Sequence, residues 1–139
     1  MEKVKIVDTG VISRNHNPGY EYFFACHSHL VQLSNNELLC TFQSGQALYS
    51  VDSIMKQARS TDGGKTWNSE GAIYNPVNDN RPYSYHAPVL CRVSNKSLVI
   101  TAQRWDRSDP EHPVFNEKTA GILPAETIFF QSTDNGANW

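Results

Sequence analysis

The sequence predicts an all-β fold, and three observations point to this class. Apolar and polar residues alternate over short segments, which is the periodicity of a half-buried strand. No segment shows helical periodicity over three turns, and the seven prolines and eight glycines mark loops. A short motif also occurs twice, and internal repetition of this kind is typical of arrays of small β-sheets.

The first repeat unit is predicted to contain four strands. Residues 29–33 alternate and lead into the pair Asn35-Asn36, which suits the positive φ of a two-residue turn, so that residues 37–42 complete a hairpin. A third strand is expected at residues 53–60 and a fourth at residues 67–74.

The second unit repeats this pattern, with strands expected at residues 85–93, 98–105 and 126–132. The hairpin segment 33–39 matches residues 93–99 at an offset of 60 (93 − 33), whereas the motif that closes each unit recurs at an offset of 72 (132 − 60). The second unit therefore carries 12 extra residues (72 − 60) between its matched segments, and its fourth strand is expected to begin at Trp139.

The repeated motif is Ser-x-Asp-x-Gly-x-x-Trp, at residues 60–67 (the first box) and 132–139 (the second box). In such a tight turn the Asp carboxylate accepts backbone N–H bonds, the Gly permits a positive φ, and the Trp buries its ring between sheets. We therefore assign structural roles to Ser60, Asp62, Gly64, Trp67, Ser132, Asp134, Gly136 and Trp139.

The two boxes resemble the Asp-box (BNR repeat) of sialidases and sialidase-like β-propellers. Arg59, directly before the first box, and residues 33–39, which are similar to the family's Leu-Pro-Asp-Gly-x-Leu-Leu hairpin, extend the likeness. The resemblance implies a ring of about six four-stranded antiparallel blades, of which this chain holds about two. The chain would then be the N-terminal part of a longer protein. Residues 1–26 would form a closing strand and the approach to the ring, residues 27–75 the first blade, and residues 76–139 an incomplete second blade.

Composition excludes several other classes. The net charge is −2 and the basic residues form no stripe, so nothing favours nucleic-acid binding. Mean hydropathy is −0.51, and no apolar run approaches the ~18 residues of a membrane helix. Charged residues interrupt the apolar positions of residues 1–8, whereas a signal peptide needs an uninterrupted apolar segment. We therefore expect a soluble protein, cytoplasmic by default, with no membrane partner. Cys26, Cys40 and Cys91 lack metal-ligand spacing and are expected to be free thiols, and no metal or other cofactor is predicted.

A ligand site is expected at the end of the sheets opposite the boxes. In an up-and-down blade, the loop between strands two and three and the crossover to the next blade lie on one face, and the box turns lie on the other. The first face receives residues 44–52, 76–83 and 106–125, the last of which contains the extra residues. Long loops on a rigid scaffold are where binding residues concentrate.

The sialidase resemblance implies a particular chemistry at this face. In that family three arginines hold the substrate carboxylate, an Asp is the acid/base, and a Tyr–Glu pair is the nucleophile. Carried onto this chain, the catalytic acid/base is Asp52, the acidic residue of the loop before the first box. Cys26 stands where the first arginine is expected, which departs from the sialidase pattern, and the other arginines, the Tyr and the Glu would belong to further blades.

Histidines and arginines supply the candidate binding residues. Cys26 opens a Cys-His-Ser-His segment that resembles the Cys-His opening of a broader subgroup of BNR proteins. Alternation would place its two histidines on one strand face, where they could contact an anionic sugar or act as acid or base. A third histidine matches Cys26 in the second unit, and two arginines lie at the entrance of the long loop, suited to clamp a carboxylate. The predicted substrate-binding residues are His27, His29, His86, Arg104 and Arg107.

Three functions follow from these observations. The first is an exo-acting glycoside hydrolase of sialidase type, truncated here, with Asp52 as its acid/base. The second is a carbohydrate-binding propeller without catalysis, favoured by the missing arginine at Cys26. The third is a propeller polysaccharide lyase, in which His and Tyr remove a proton beside a uronate carboxylate. In each, the partner is a carbohydrate, and the isolated chain, which is expected to be inactive alone, would self-associate through exposed blade faces.

Overall fold

The structure is a computed structural model that describes residues 4–19 and 23–139. In this part of the chain it is all-β, as predicted, with seven strands, one short 3-10 turn and no α-helix. The strands are β1 (Phe24–Gln32), β2 (Leu38–Gly45), β3 (Ile54–Ser60), β4 (Asn68–Ala72), β5 (Tyr83–Ser94), β6 (Ser97–Asp106) and β7 (Ala125–Ser132), and the 3-10 turn is Pro76–Asn78.

The strands form two antiparallel sheets in simple up-and-down order. The first sheet has the order β1-β2-β3-β4 and the second β5-β6-β7. Every pair of neighbouring strands is antiparallel. Each repeat unit therefore folds into its own sheet, and the predicted division of the strands between the two units is confirmed.

The predicted two-residue turn at Asn35-Asn36 is wrong. Gln32 pairs with Leu38 across the hairpin, the Leu33 N–H donates to the Glu37 carbonyl (2.8 Å), and neither asparagine has a positive φ. The loop is longer because the Asn36 carbonyl accepts a bond from the Gly63 N–H (2.8 Å), which ties it to the first box. The second unit does contain such a turn, with Ser94 opposite Ser97 and Lys96 at φ 66°.

Strand β1 starts five residues earlier than predicted and carries a β-bulge. Cys26 pairs with Gln43 and His29 with Thr41, so two residues of β1 stand opposite one residue of β2. His27 occupies the bulge with φ 50°, and Ala87 has φ 49° at the matching bulge of β5. The regular alternation of His27 and His29 that we predicted from the sequence is therefore wrong.

The two sheets pack face to face around one apolar core. Leu39 and Met55 of the first sheet are buried in the same cluster as Tyr85, Leu98 and Ile100 of the second. Because successive residues of a strand point to opposite faces, Cys40 and Phe42 lie on the other face of the first sheet. There they form a second cluster with Ala58, against which Ile12 and Trp67 pack.

The outer face of the second sheet exposes apolar side chains beside polar ones such as Thr101 and Gln103. Val89 and Phe129 both pair with Thr101, so they form one row across the sheet. Their exposed fractions are 44% for Val89 and 69% for Phe129, and Val93 is 64% exposed. We call these three residues the outer row.

Candidate functional site

The first box is a closed hydrogen-bonded turn. Ser60 Oγ donates to Asp62 Oδ1 (2.8 Å) and accepts from the Gly64 N–H (2.8 Å). The Thr66 hydroxyl and N–H donate to the two oxygens of Asp62 (2.6 and 2.9 Å). These bonds, with that of the Thr66 hydroxyl the largest, hold the pKa of Asp62 well below its ordinary value.

The second box has the same geometry. Ser132 Oγ donates to Asp134 Oδ1 (2.7 Å), and the side chain and N–H of Asn138 donate to the same carboxylate (2.8 and 2.9 Å). Chiefly because of the Asn138 side-chain bond, the pKa of Asp134 falls to about 2. Gly64 and Gly136 have φ 94° and 82°, as the predicted structural role requires. Since both carboxylates bond within their own turns, the boxes are structural elements.

A cleft of about 680 Å³ is lined by residues of the first sheet and its loops and by residues of the second box. Its arginine, Arg59, is already paired with Glu37 (2.8 Å) and Glu70 (2.6 Å). Arg59 and Gln57 also donate to the backbone carbonyls of Asn135 (3.0 Å) and Gly136 (2.9 Å). The charged groups of this cleft therefore hold the second box against the first sheet.

A polar cluster lies at the opposite end of the sheets, where the sequence predicted a ligand site. The β2–β3 loop of the first sheet reaches the second sheet there, because Ser53 accepts from the Tyr85 N–H (2.8 Å) and its hydroxyl donates to the Tyr85 carbonyl (2.9 Å). The same loop brings the Leu48 and Tyr49 carbonyls to side chains of the cluster.

Gln43, fully buried at the end of β2, is the centre of this cluster. Its Nε2 donates to the Leu48 carbonyl (2.6 Å) and lies 3.0 Å from His86 Nδ1. Its Oε1 accepts from the Ala87 N–H (3.0 Å) and lies 3.2 Å from His27 Nδ1. One side chain thus joins the histidine of the first bulge to the histidine that precedes the second.

Arg107 is the cation of the cluster, and it is 4% exposed. Its Nε donates to Ser84 Oγ (2.7 Å) and one terminal nitrogen donates to the Tyr49 carbonyl (2.8 Å). Ser84 Oγ is also 2.7 Å from His86 Nε2. Among the described residues no carboxylate forms an ion pair with Arg107. Burial lowers the pKa of its guanidinium.

Aromatic rings cover the cluster. Trp105 stacks on His86 (centroids 4.6 Å apart) and on Tyr49 (5.5 Å), and Phe115 of the long loop meets Tyr49 edge-on (5.6 Å). The Trp105 Nε1 is buried and has no hydrogen-bond partner in the described part of the chain. A buried donor without a partner is costly, so this end of the molecule retains hydrogen-bonding capacity that the chain itself does not use.

Burial, with a smaller contribution from the charge of Arg107, lowers the pKa of His86 to about 4. The imidazole is therefore neutral near pH 7. His86, which the sequence predicted to bind substrate, therefore carries no positive charge that could attract an anion near pH 7.

The remaining predicted residues, Asp52, His29 and Arg104, form no hydrogen bond with Arg107. Asp52 is exposed in the β2–β3 loop and accepts from the Gln46 N–H (3.1 Å) of the same loop. His29 is exposed on β1 beyond the bulge. Arg104 pairs with Glu126 (2.5 Å) and lies over the Tyr83 ring (4.4 Å), so the two predicted arginines do not converge into one clamp.

Sequence reasoning missed Gln43, Ser84 and Tyr49 as members of the cluster. One signal was present, since alternation places the polar Gln43 on the same face of its strand as Leu39. Nothing in the sequence indicated that Tyr49 would carry its backbone carbonyl to Arg107. In the described residues no group of three or more His, Cys, Asp or Glu side chains is arranged to hold a metal ion.

Fold and site together define an all-β chain of two repeated antiparallel sheets with a buried arginine–histidine cluster at one end. No family model matches the sequence. A crystal structure of a protein of unknown function from Dyadobacter fermentans DSM 18053 is similar, with a TM-score of 0.64 and 23% sequence identity. The match covers 93% of this chain and 37% of that chain, and at this identity it shows a shared fold. None of the described residues belongs to a helix long and apolar enough to cross a membrane.

Proposed function

We propose that this chain is part of a sialidase-like β-propeller and that it binds an anionic carbohydrate at the Arg107 cluster. The architectural part rests on the two boxes, which have matching hydrogen bonds, and on the face-to-face packing of consecutive four- and three-stranded meanders. The single observation that carries the ligand part is the buried Arg107 guanidinium without an acidic partner.

A buried cation with only neutral partners is an expensive arrangement. Removing a guanidinium from water costs free energy that Ser84 Oγ and the Tyr49 carbonyl offset in part. A ligand carboxylate would offset more, because charge-assisted bonds are stronger than neutral ones. The buried Trp105 Nε1 offers a further donor, and the rings of Tyr49 and Phe115 suit the apolar face of a sugar.

Binding is better supported than catalysis among the three functions considered. Hydrolysis would depend on Asp52, whose carboxylate accepts a bond from its own loop. Asp52 forms no hydrogen bond with the histidines or with Arg107. A lyase would need a base beside the bound carboxylate, and the exposed His27 is the candidate for that role. Both reactions would act on a sugar held at the same cluster.

Calorimetric titration with matched acidic and neutral sugars tests the proposal. We expect N-acetylneuraminic acid or glucuronic acid to bind and the neutral glucose and N-acetylglucosamine not to bind measurably. Arg107→Gln should weaken acid binding by roughly 10-fold or more, the scale of one charge-assisted bond. Arg92→Gln is the matched control, because Arg92 is exposed and bonds to the Gln32 carbonyl. Equal affinity for acidic and neutral sugars, or full binding by Arg107→Gln, would overturn the proposal.

A further inference from the structure

The orientation of the Gln43 amide is determined by two backbone groups. The Leu48 carbonyl can only accept and the Ala87 N–H can only donate, so Nε2 must face the former and Oε1 the latter. The opposite orientation would place two acceptors 2.6 Å apart and two donors 3.0 Å apart. The positions of the amide oxygen and nitrogen therefore follow from the fold.

This orientation in turn determines the protonation of both histidines. Gln43 Nε2 donates to His86 Nδ1, which must then be unprotonated, and the proton of His86 lies on Nε2, where it is donated to Ser84 Oγ. Gln43 Oε1 accepts from His27 Nδ1, which must then carry the proton. The two imidazoles are consequently held as opposite tautomers by one amide.

We infer that Gln43 is a positioning residue that makes His27 Nε2 the hydrogen-bond acceptor of the ligand site. With Nδ1 protonated and bonded to Gln43, the lone pair of a neutral His27 is on Nε2. No described residue donates to that nitrogen, and the side chain is exposed. Within the proposed function, on which this step rests, His27 Nε2 accepts from a sugar hydroxyl while Arg107 donates to the carboxylate.

The bulge explains why His27 reaches Gln43. A residue at φ 50° breaks the regular strand geometry and turns its side chain away from the direction that alternation would give. His27 Nδ1 thereby comes 3.2 Å from Gln43 Oε1, and it also lies 3.1 Å from Cys26 Sγ. The positive φ of His27 and the amide of Gln43 therefore together determine the position of the His27 ring.

Nitrogen NMR of the whole chain labelled at its five histidines tests this inference. At about pH 8, above the ordinary imidazole range, free rings are neutral and each nitrogen reports whether it carries a proton. We expect His27 to show a protonated Nδ1 and a bare Nε2, and His86 to show the reverse. The variants His27→Gln and His86→Gln identify the two sets of signals. A protonated Nε2 in His27, or the same tautomer in both rings, would overturn the inference.

A pair of matched glutamine substitutions tests the role of Gln43 itself. Gln43→Met keeps the length of the side chain but removes the amide, and we expect the His27 signals to move to the average of two tautomers. Gln57→Met is the control, because Gln57 is also buried and bonds to Glu70, Gly136 and Trp139 through its amide. Unchanged His27 signals in Gln43→Met, or the same change in Gln57→Met, would contradict a positioning role.

The two experiments fail independently. The tautomers are measured without ligand. The role of Gln43 can therefore be tested even if the chain binds no acidic sugar. Conversely, acidic sugars that bind to a chain whose His27 carries its proton on Nε2 would leave the proposed function intact and remove this inference.

Discussion

Individual residues of the boxes differ in what surrounds them, although the two turns share one hydrogen-bond pattern. Gly63 has φ 75°, and a Cβ added there would meet no atom within 4 Å. Gly136 has φ 82°, and its Cβ would lie 2.7 Å from Leu39 Cδ2. Gly63 is therefore constrained only by its positive φ, which Asn135 adopts at the matching position of the second box (φ 58°), whereas Gly136 is also constrained by the closeness of Leu39.

Alanine at these two glycines should therefore have unequal effects. We expect Gly63→Ala to lower the free energy of unfolding by about 1 kcal/mol, the scale of left-handed backbone strain. Gly136→Ala adds the clash with Leu39 and should lower it by roughly 2 to 3 kcal/mol. Urea denaturation of the two variants measures the difference, and equal losses would contradict the packing of the second box on Leu39.

The carboxylate of the second box should make stability sensitive to acid. Its pKa is about 2 in the folded chain against an ordinary 3.8, so the folded state binds fewer protons in this range. The stabilisation is therefore complete above about pH 4 and is lost as the pH falls toward 2. Asp134→Asn should flatten the decline of the urea midpoint between these values.

Asp109→Asn serves as the control for the acid experiment, since Asp109 lies in the long loop and outside both boxes. Its pH curve should be parallel to that of the unmodified chain. An Asp134→Asn curve that is also parallel would mean that the box carboxylate does not cause the acid sensitivity.

At the scale of elements, strand β3 joins the two sheets through side chains rather than through backbone pairing. Arg59 of this strand bonds to Glu37, to Glu70 and to the Asn135 carbonyl, and its side chain is 15% exposed. Because Glu37 would lose its ion-pair partner and Glu70 would keep only its bond from Gln57, we expect Arg59→Met to lower the free energy of unfolding by roughly 2 kcal/mol.

The matched substitution Arg92→Met should change the free energy of unfolding by less than about 0.5 kcal/mol, because Arg92 is exposed. Urea denaturation of the two variants separates the cases. An Arg59→Met chain as stable as the Arg92→Met chain would show that the bonds of Arg59 add nothing to stability.

Most elements could be predicted from the sequence, and the exceptions have identifiable causes. Alternation and the boxes located the strands of both units, because each strand has one buried face and each box ends a strand. The bulges at His27 and Ala87 could not be predicted, since neither position carries a glycine that would mark a positive φ. The loop after Leu33 differs because its conformation depends on Gly63, which is distant in sequence.

The candidate site was predicted less completely. The loops at the end opposite the boxes were selected from topology, and Arg107 and two of the histidines do meet there. The separation of Arg104 from Arg107 depends on Glu126 and Tyr83, partners that alternation alone cannot identify. Sequence reasoning therefore located the end of the molecule that carries the cluster but did not resolve its internal contacts.

At the scale of the whole molecule, the outer row leaves a sheet face without a cover. Val89, Val93 and Phe129 are large apolar side chains of this sheet that remain exposed. Exposed apolar sheet faces favour association, so we expect the isolated chain to form oligomers as its concentration rises. Phe129→Thr should shift the chain toward the monomer in sedimentation velocity experiments.

Val77→Thr is the control for this substitution, because Val77 is 79% exposed but lies in the 3-10 turn, away from the outer row. Its oligomer distribution should match that of the unmodified chain. A chain of 15.7 kDa that remains monomeric at all concentrations would contradict association through this face.

The attachment of the second box to β3 also bears on how the chain folds. The bonds of Gln57 and Arg59 to residues 135, 136 and 139 span sequence separations of 76, 79 and 82 residues, respectively. Contacts of this range form only after long segments have closed, so they slow folding and form late. Once formed, they couple the two repeats, so that amide protons in β3 and in the second box should exchange with solvent at one common rate rather than sheet by sheet.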